Sequence, residues 1–241
     1  NLKNDDDKKI FNKILLKADI LVENFKPGTL EKWGYGWKDV NKKFPKLIYA
    51  SASGFGQTGP LKELPAYDMV VQGMGGLMSV TGQPNSEPTR VGTSIGDITA
   101  GLFTAIGINA ALYDRQKTGK GMYIDVSMLD CQIAILENAI ARYLSKNEIP
   151  KPMGSRHPSI APFEAFKTLD SHIIIAAGND KLFEKLCKLL NISELNSDPK
   201  FSDNSSRAKH MNELKIILEK KLCAKKTTEW VKEMEKEKIP C

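Results

Sequence analysis

The sequence contains few of the residues that build disulfide frameworks or metal sites. Its 241 residues include only three histidines and four cysteines. The cysteines, Cys131, Cys187, Cys223 and Cys241, lie too far apart along the chain for a zinc knuckle or a redox pair. We therefore expect free thiols, no bound metal and a reducing compartment.

Signal sequences, repeats and long hydrophobic runs are also absent. No stretch of 18 consecutive apolar residues and no signal peptide can be found. We therefore expect a cytoplasmic location, or a mitochondrial one if the source is eukaryotic, and no membrane partner. The chain begins at Asn1 and ends at Cys241, just after a helical pattern, so we expect it to be part of a longer protein.

Charge of one sign is not concentrated in any segment. The chain has 35 basic and 29 acidic residues, which gives a formal net charge of +6. Near the C-terminus the two signs alternate, which is typical of solvated amphipathic helices and not of a nucleic-acid-binding face. The sequence therefore predicts no nucleic-acid partner, and its mild positive excess suits an anionic small molecule.

Short helical and strand patterns alternate in the first half of the chain. Residues 18–22, 47–50 and 122–126 are predicted strands, and helical patterns separate them. This order indicates a parallel α/β sheet. The prolines of Ile149-Pro-Lys-Pro152 predict a linker. We therefore predict an α/β domain over residues 1–148 and a smaller α+β domain over residues 149–241.

An aspartate lies at the start of a long uncharged segment. Asp97 precedes residues 98–113, which carry no charge and are apolar on every side, so they predict a buried helix. A carboxylate in the first turn faces unpaired N–H groups and the positive end of the helix dipole. We therefore expect Asp97 to stay ionised and to point out of the core. The alternative is an aspartate that only starts a helix.

Two turn-forming segments follow the first two predicted strands directly. Residues 24–28 end in Pro27-Gly28, and residues 53–60 contain three glycines and a proline. Because the carboxyl ends of parallel strands meet at one edge of a sheet, both segments are expected to line one crevice. The alternative for each segment is a plain surface turn.

Five motifs in this order and spacing resemble the class III CoA-transferases, the family of formyl-CoA transferase, carnitine CoA-transferase and α-methylacyl-CoA racemase. The motifs are Ala18–Gly28, Ser53–Pro60, Tyr67-Asp68, Gly96-Asp97 and Lys117–Gly121. The resemblance implies a Rossmann-like parallel sheet in an interlocked homodimer. It also implies that the opening strand–helix unit and the C-terminal return to the first domain are missing here.

The resemblance also implies roles for individual residues. The family's nucleophilic aspartate falls on Asp97, and Tyr67 resembles a tyrosine whose hydroxyl lies close to that nucleophile. Coenzyme A is implied as a substrate, with no permanently bound cofactor. The segments that match CoA-contacting parts of the family contain Asn24, Phe25, Lys26, Lys32, Leu64, Pro65, Ala66 and Tyr67.

One loop departs from the formyl-CoA transferase pattern. Gly154–Ser159 stands where that enzyme has a glycine-rich loop, which argues against formyl-CoA and oxalate as substrates. The loop resembles that of members acting on succinyl-type or other dicarboxylate acyl groups, so Arg156 and His157 are candidates to bind a remote carboxylate. The alternative is a linker arginine and a turn histidine.

The resemblance implies transfer of CoA from an acyl-CoA donor, such as succinyl-CoA, to a carboxylic acid through an aspartyl anhydride and an aspartyl-CoA thioester. The racemase branch instead needs a histidine after Gly82 as an acid/base group. This chain has Gln83, whose amide cannot exchange a proton at neutral pH, which favours acyl transfer. A non-catalytic CoA-binding fragment is the third possibility.

Overall fold

The computed structural model describes residues 1–241 and divides them into two compact units, Asn1–Pro152 and Met153–Cys241. The sequence places the boundary after residue 148, whereas the structural division follows Pro152, the second proline of the predicted linker.

The first unit consists of a three-stranded sheet and eight helices. The strands are β1 (Ile20–Glu23), β2 (Ile48–Ser53) and β3 (Tyr123–Ser127). The helices are α1 (Asp5–Leu15), α2 (Thr29–Lys32), α3 (Trp37–Lys43), α4 (Asp68–Met74), α5 (Leu77–Val80), α6 (Ile95–Thr118), α7 (Met128–Ile135) and α8 (Glu137–Lys146). The sheet has the order β1-β2-β3 with both pairings parallel, which confirms the predicted α/β class.

The central strand β2 forms the core of the sheet. Ile48, Tyr49 and Ala50 are buried on both faces, as a central parallel strand requires. Tyr49 packs edge-on against Trp37 and Tyr123, and its hydroxyl donates to the carbonyl oxygen of Tyr35 at 3.0 Å. These contacts fix β2, and therefore the position at which its carboxyl end opens into the next loop.

The long helix α6 differs from the buried helix that the sequence predicts. Only one narrow stripe is buried, and its members are Gly96, Thr99, Ala100, Thr104 and Ala111. Ile98, Leu102 and Ile106 are exposed, because a helix that packs on a sheet through small residues buries only that stripe. By length and composition alone, α6 is also apolar enough to cross a membrane, a test that core helices of other proteins pass too.

The sequence predicts a helix over residues 67–78, in which Gly73, Gly75 and Gly76 permit close packing or a break, and one long helix over residues 127–145. In the structure each of these helices is divided in two. The predicted helix over residues 67–78 is interrupted at Gly76, whose φ of 84° lies in the left-handed region that favours glycine. The adjacent Gly75 allows a close approach, since a Cβ there would lie 2.7 Å from Cβ of Gln132. The predicted helix over 127–145 divides into α7 and α8 at Leu136.

The second unit packs helices against a two-stranded antiparallel sheet. Its elements are β4 (Phe163–Lys167), β5 (His172–Ala176), α9 (Asp180–Leu189), a short 3-10 helix (Ser193–Ser197), α10 (Asn204–Lys209), α11 (Met211–Leu222) and α12 (Thr227–Glu237). Phe166, Ile175 and Leu214 are among its fully buried core residues. The sequence predicts a strand over residues 172–177 and helices over about 180–191, 207–222 and 227–237, which correspond to β5, α9, α11 and α12. It misses β4, whose five residues mix apolar and charged side chains.

An arginine lies at the centre of this second core. Arg207 is 0% exposed. Its guanidinium donates to the carbonyl oxygens of Ala161 and Phe201 at 2.9 and 3.0 Å and forms an ion pair with Asp180 at 2.7 Å. The planar fork satisfies several backbone acceptors at once, which is why a buried charge is tolerated here.

Candidate active site

The carboxyl ends of β1 and β2 open into one cleft of about 300 Å³. The cleft is lined by Asn24–Pro27, which follow β1, by Ser53, the last residue of β2, and by Gly54, which follows it. The predicted crevice is therefore confirmed. The Asn24 side chain donates to the carbonyl oxygen of Ala52 at 2.7 Å and so ties the first turn to the neighbouring strand.

A buried acid at the end of β1 also stabilises the turn that follows this strand. Glu23 ends β1, and its Oε2 accepts from the N–H of Phe25 at 2.8 Å. Burial raises the pKa of the Glu23 carboxyl, although hydrogen bonds from Ser51 and Phe25 oppose this effect. The Phe25 ring remains half exposed at the cleft and packs edge-on against Trp33 at 5.5 Å.

The opposite wall of the cleft is formed by residues 64–67. Leu64, Pro65, Ala66 and Tyr67 all line it. This segment approaches β2 so closely that a Cβ at Gly54 would clash with Cβ of Ala66. All predicted CoA-contacting residues thus share one cleft except Lys32, which is the exposed last residue of α2.

Asp97 lies where this cleft meets a second one. Its side chain lines both the 300 Å³ cleft and an adjoining cleft of about 440 Å³. The second cleft runs between β1 and α6 and is lined mainly by small and apolar residues such as Val22, Ala100 and Ala105. Asp97 is exposed and has no hydrogen-bond or ion-pair partner within the chain, so its oxygens are free to react.

A neighbouring acid caps α6 in place of Asp97. Asp68 Oδ1 accepts from the N–H of Gly96 at 2.8 Å, and its Oδ2 accepts from the Gln72 side chain, also at 2.8 Å. Gln72 in turn accepts from the N–H of Val91 at 2.9 Å. The sequence singles out Tyr67-Asp68 only as a motif and gives no role to Asp68 or Gln72. Their contacts hold the first turn of α6, which carries Asp97, and the loop before it.

Asp97 points out of the core, as the sequence predicts, and its pKa is subject to two effects that the sequence does not show. Although the side chain is exposed, partial loss of hydration beside the cleft walls raises the pKa of its carboxyl above the ordinary value, and the negative charge of Asp68 raises that pKa further. The helix dipole alone predicts the opposite direction. A carboxylate with a raised pKa is more basic, and therefore a stronger nucleophile once it is ionised.

Tyr67 shares the cleft with Asp97. The ring is 82% exposed, and the hydroxyl makes no hydrogen bond within the chain.

No group of three or more His, Cys, Asp or Glu side chains in the chain could hold a metal ion. The polar residues that line the cleft are Asp97, Tyr67, Asn24, Ser53 and one cation, Lys26.

Arg156 and His157 lie in the second unit and have partners there. Arg156 pairs with Glu164 at 2.9 Å and also donates to Asn212 at 2.9 Å. His157 Nδ1 accepts from two backbone N–H groups, and its ring stacks on Phe163 with centroids 5.3 Å apart. The contacts of Arg156 use its Nε and Nη2 and leave Nη1 without a partner in the chain, and its role toward a substrate carboxylate stays a prediction.

The fold agrees with comparisons to known proteins. The chain belongs to CoA-transferase family III, whose sequence model matches residues 1–241. It is similar to a CaiB/BaiF family protein from Brucella suis, with 39% identity and a TM-score of 0.86 over 100% of this chain and 64% of that one. It is also similar to Rv3272 from M. tuberculosis, with 29% identity and a TM-score of 0.88 over 100% of this chain and 64% of that one.

Two curated relatives carry the names of CoA-transferases. An acetyl-CoA:oxalate CoA-transferase from Acetobacter aceti is 44% identical over 241 residues, which is 100% of this chain and 62% of the relative. A succinyl-CoA:glutarate CoA-transferase from Mus musculus is 38% identical over 240 residues, which is 100% of this chain and 55% of the relative. The chain therefore spans little more than half the length of these relatives.

Proposed function

We propose that the complete protein transfers CoA from an acyl-CoA donor to a carboxylic acid, with Asp97 as the nucleophile. The exposed and unpaired carboxylate at the junction of two clefts carries this proposal. The relatives named above are CoA-transferases, and their names supply the reaction class.

The reaction needs a carboxylate that can form and exchange an anhydride. Asp97 attacks the donor thioester carbonyl, which gives a mixed anhydride and releases CoA thiolate. The thiolate attacks the aspartyl carbonyl, forms an aspartyl-CoA thioester and releases the donor acid. The acceptor carboxylate then attacks this thioester and expels thiolate. Attack of that thiolate on the acceptor acyl group yields the new acyl-CoA and restores Asp97.

Coenzyme A is proposed to lie along the 300 Å³ cleft. Phe25, Leu64, Pro65 and Ala66 offer apolar surface to the pantetheine and adenine portions, and the Lys26 ammonium suits a phosphate. Lys32 is proposed as a further phosphate contact, although lysine lacks the bidentate geometry of arginine. Tyr67 completes the site beside Asp97.

The proposed donor is succinyl-CoA or a similar acyl-CoA, and the proposed acceptor is a small dicarboxylic acid. The mouse relative, named for succinyl-CoA and glutarate, supports this choice. The Gly154–Ser159 loop does not by itself exclude oxalate, because the Acetobacter relative is named for oxalate. Arg156, through its Nη1 group, and His157 are proposed to contact the remote carboxylate.

We also propose that the protein is a cytoplasmic homodimer. The exposed apolar face of α6, which includes Ile98, Leu102 and Ile106, supports association, since such a face is costly to leave in water. The interlocked arrangement that the family resemblance implies would supply a protein partner for this face.

The deciding experiment traps the covalent intermediate. The complete protein is incubated with succinyl-CoA or acetyl-CoA and treated with hydroxylamine, and the modified peptide is then identified by mass spectrometry. A transferase yields a hydroxamate on Asp97. A racemase exchanges the substrate α-proton with solvent and forms no such adduct, and a CoA-binding fragment does neither.

A further inference from the structure

A serine in the wall of the 300 Å³ cleft has a hydroxyl group without a hydrogen-bond partner. Ser53 is the last residue of β2 and is 4% exposed, yet its Oγ has no hydrogen-bond partner within the chain. A buried hydroxyl without a partner destabilises the folded protein. Two nearby buried serines differ: Ser51 Oγ accepts from the Tyr123 hydroxyl, and Ser127 Oγ accepts from the N–H of Asp130.

The position of Ser53 explains why an unpaired donor is useful. Ser53 lines the 300 Å³ cleft together with Asp97. Among the other groups of this cleft, the Asn24 amide already donates to Ala52, and the free Tyr67 hydroxyl belongs to a strongly exposed side chain, whereas Ser53 is held in the cleft wall. Attack of a carboxylate on a thioester places negative charge on the carbonyl oxygen, which a positioned donor stabilises.

We propose that Ser53 is a substrate-binding residue whose hydroxyl donates a hydrogen bond to a carbonyl oxygen of the acyl-CoA held in this cleft. The inference rests on the proposed function. The hydroxyl reaches the cleft by rotation about the Cα–Cβ bond to another staggered position. The interaction transfers no proton and breaks no covalent bond.

The chain offers a matched set of variants for the test. Ser53→Ala removes the donor, Ser53→Thr keeps a hydroxyl, and Ser51→Ala removes a partnered hydroxyl two residues earlier on the same strand. For each variant, three quantities are measured in the complete protein: the melting temperature, the Kd for CoA and the single-turnover rate of Asp97 adduct formation.

In Ser53→Ala, the rate of adduct formation is expected to fall without a fall in the melting temperature. Ser53→Ala should melt at or above the wild-type temperature, because its lost hydroxyl has no partner, while adduct formation slows about 10- to 100-fold. Ser53→Thr should recover most of that rate. Ser51→Ala should melt at a lower temperature. A loss confined to the rate assigns the bond to the thioester carbonyl, and a loss confined to binding assigns it to a pantetheine amide.

Failure of this inference is distinct from failure of the proposed function. Wild-type protein that forms no Asp97 adduct overturns the transferase proposal and the Ser53 role with it. A wild-type adduct together with an equally fast Ser53→Ala variant overturns the Ser53 role alone. The Ser53 role is also overturned if Ser53→Ala loses melting temperature and activity together, since that result indicates a structural hydroxyl.

Discussion

Asp68 Oδ1 accepts a hydrogen bond from the N–H of Gly96 at 2.8 Å, one residue before Asp97. The bond satisfies an unpaired donor at the start of α6, which the usual N-cap position, Ser94, leaves without a side-chain partner. Because a different acid caps the helix, Asp97 retains free oxygens in the first turn. The contact also fixes the backbone from which Asp97 projects.

Replacing Asp68 therefore tests positioning as well as charge. Asp68→Ala should reduce the rate of Asp97 adduct formation about 10- to 100-fold, the scale of a lost charged hydrogen bond. Asp68→Asn keeps an acceptor for Gly96 and should lose less. Single-turnover kinetics measure both rates. Equal rates for wild type and Asp68→Ala would show that the cap does not position the nucleophile.

The pH dependence of Asp97 adduct formation is an independent test of how Asp68 affects the pKa of Asp97. Asp97 reacts as the carboxylate, so the rate rises with pH through its pKa, which burial and Asp68 raise. Asp68→Asn removes one of these two causes and should move the acid limb of the pH–rate profile to lower pH. An unchanged limb, or a shift to higher pH, would contradict the electrostatic account.

Removing the charge of Glu23 and shortening its side chain should have different effects on the stability of the folded protein. Its pKa is raised by burial, so the charged form lowers the stability of the folded state as pH rises above the unfolded pKa. Glu23→Gln keeps an acceptor for the N–H of Phe25 and should raise the free energy of unfolding at pH 7 relative to wild type. That gain should vanish in acid. Denaturant titrations at neutral and acidic pH measure it, and Glu23→Asp, which retains charge but shortens reach, is the control.

Arg207 is expected to dominate the stability of the second unit. Arg207→Ala leaves the carbonyl oxygens of Ala161 and Phe201 without partners and opens a cavity, which costs about 3 to 5 kcal/mol. Asp180→Asn removes only the exposed end of the ion pair and should cost about 1 kcal/mol or less. Fluorescence of the buried Trp230 in urea follows both. Similar losses in the two variants would contradict this explanation.

The sequence predicts the sheet well but not the partners of individual side chains. The parallel β1-β2-β3 sheet and the shared crevice follow from hydrophobic pattern and from the rule that strand ends meet at one edge. The glycines at 73, 75 and 76 permit a break near Gly76, but the contact that accompanies it, the approach of Gly75 to Gln132, and the break at Leu136 are not encoded in any local pattern.

For the candidate site, too, the sequence predicts some features and misses others. Motif resemblance leads to Asp97, which the structure places at the junction of two clefts. The cap by Asp68 joins residues 28 positions apart, and the unpaired hydroxyl of Ser53 depends on burial, so neither is visible in sequence. The buried-helix expectation for α6 failed because uniform apolar character does not show which face is covered.

The most direct measurement of the central claim is the covalent state of Asp97 after mixing with an acyl-CoA donor. Wild-type protein should yield an Asp97 hydroxamate after hydroxylamine treatment. Asp97→Asn should yield none and should lose all but about a thousandth of its transfer activity, while it still binds CoA. Transfer at more than a few per cent of the wild-type rate in Asp97→Asn, or a hydroxamate on another residue, would contradict the account.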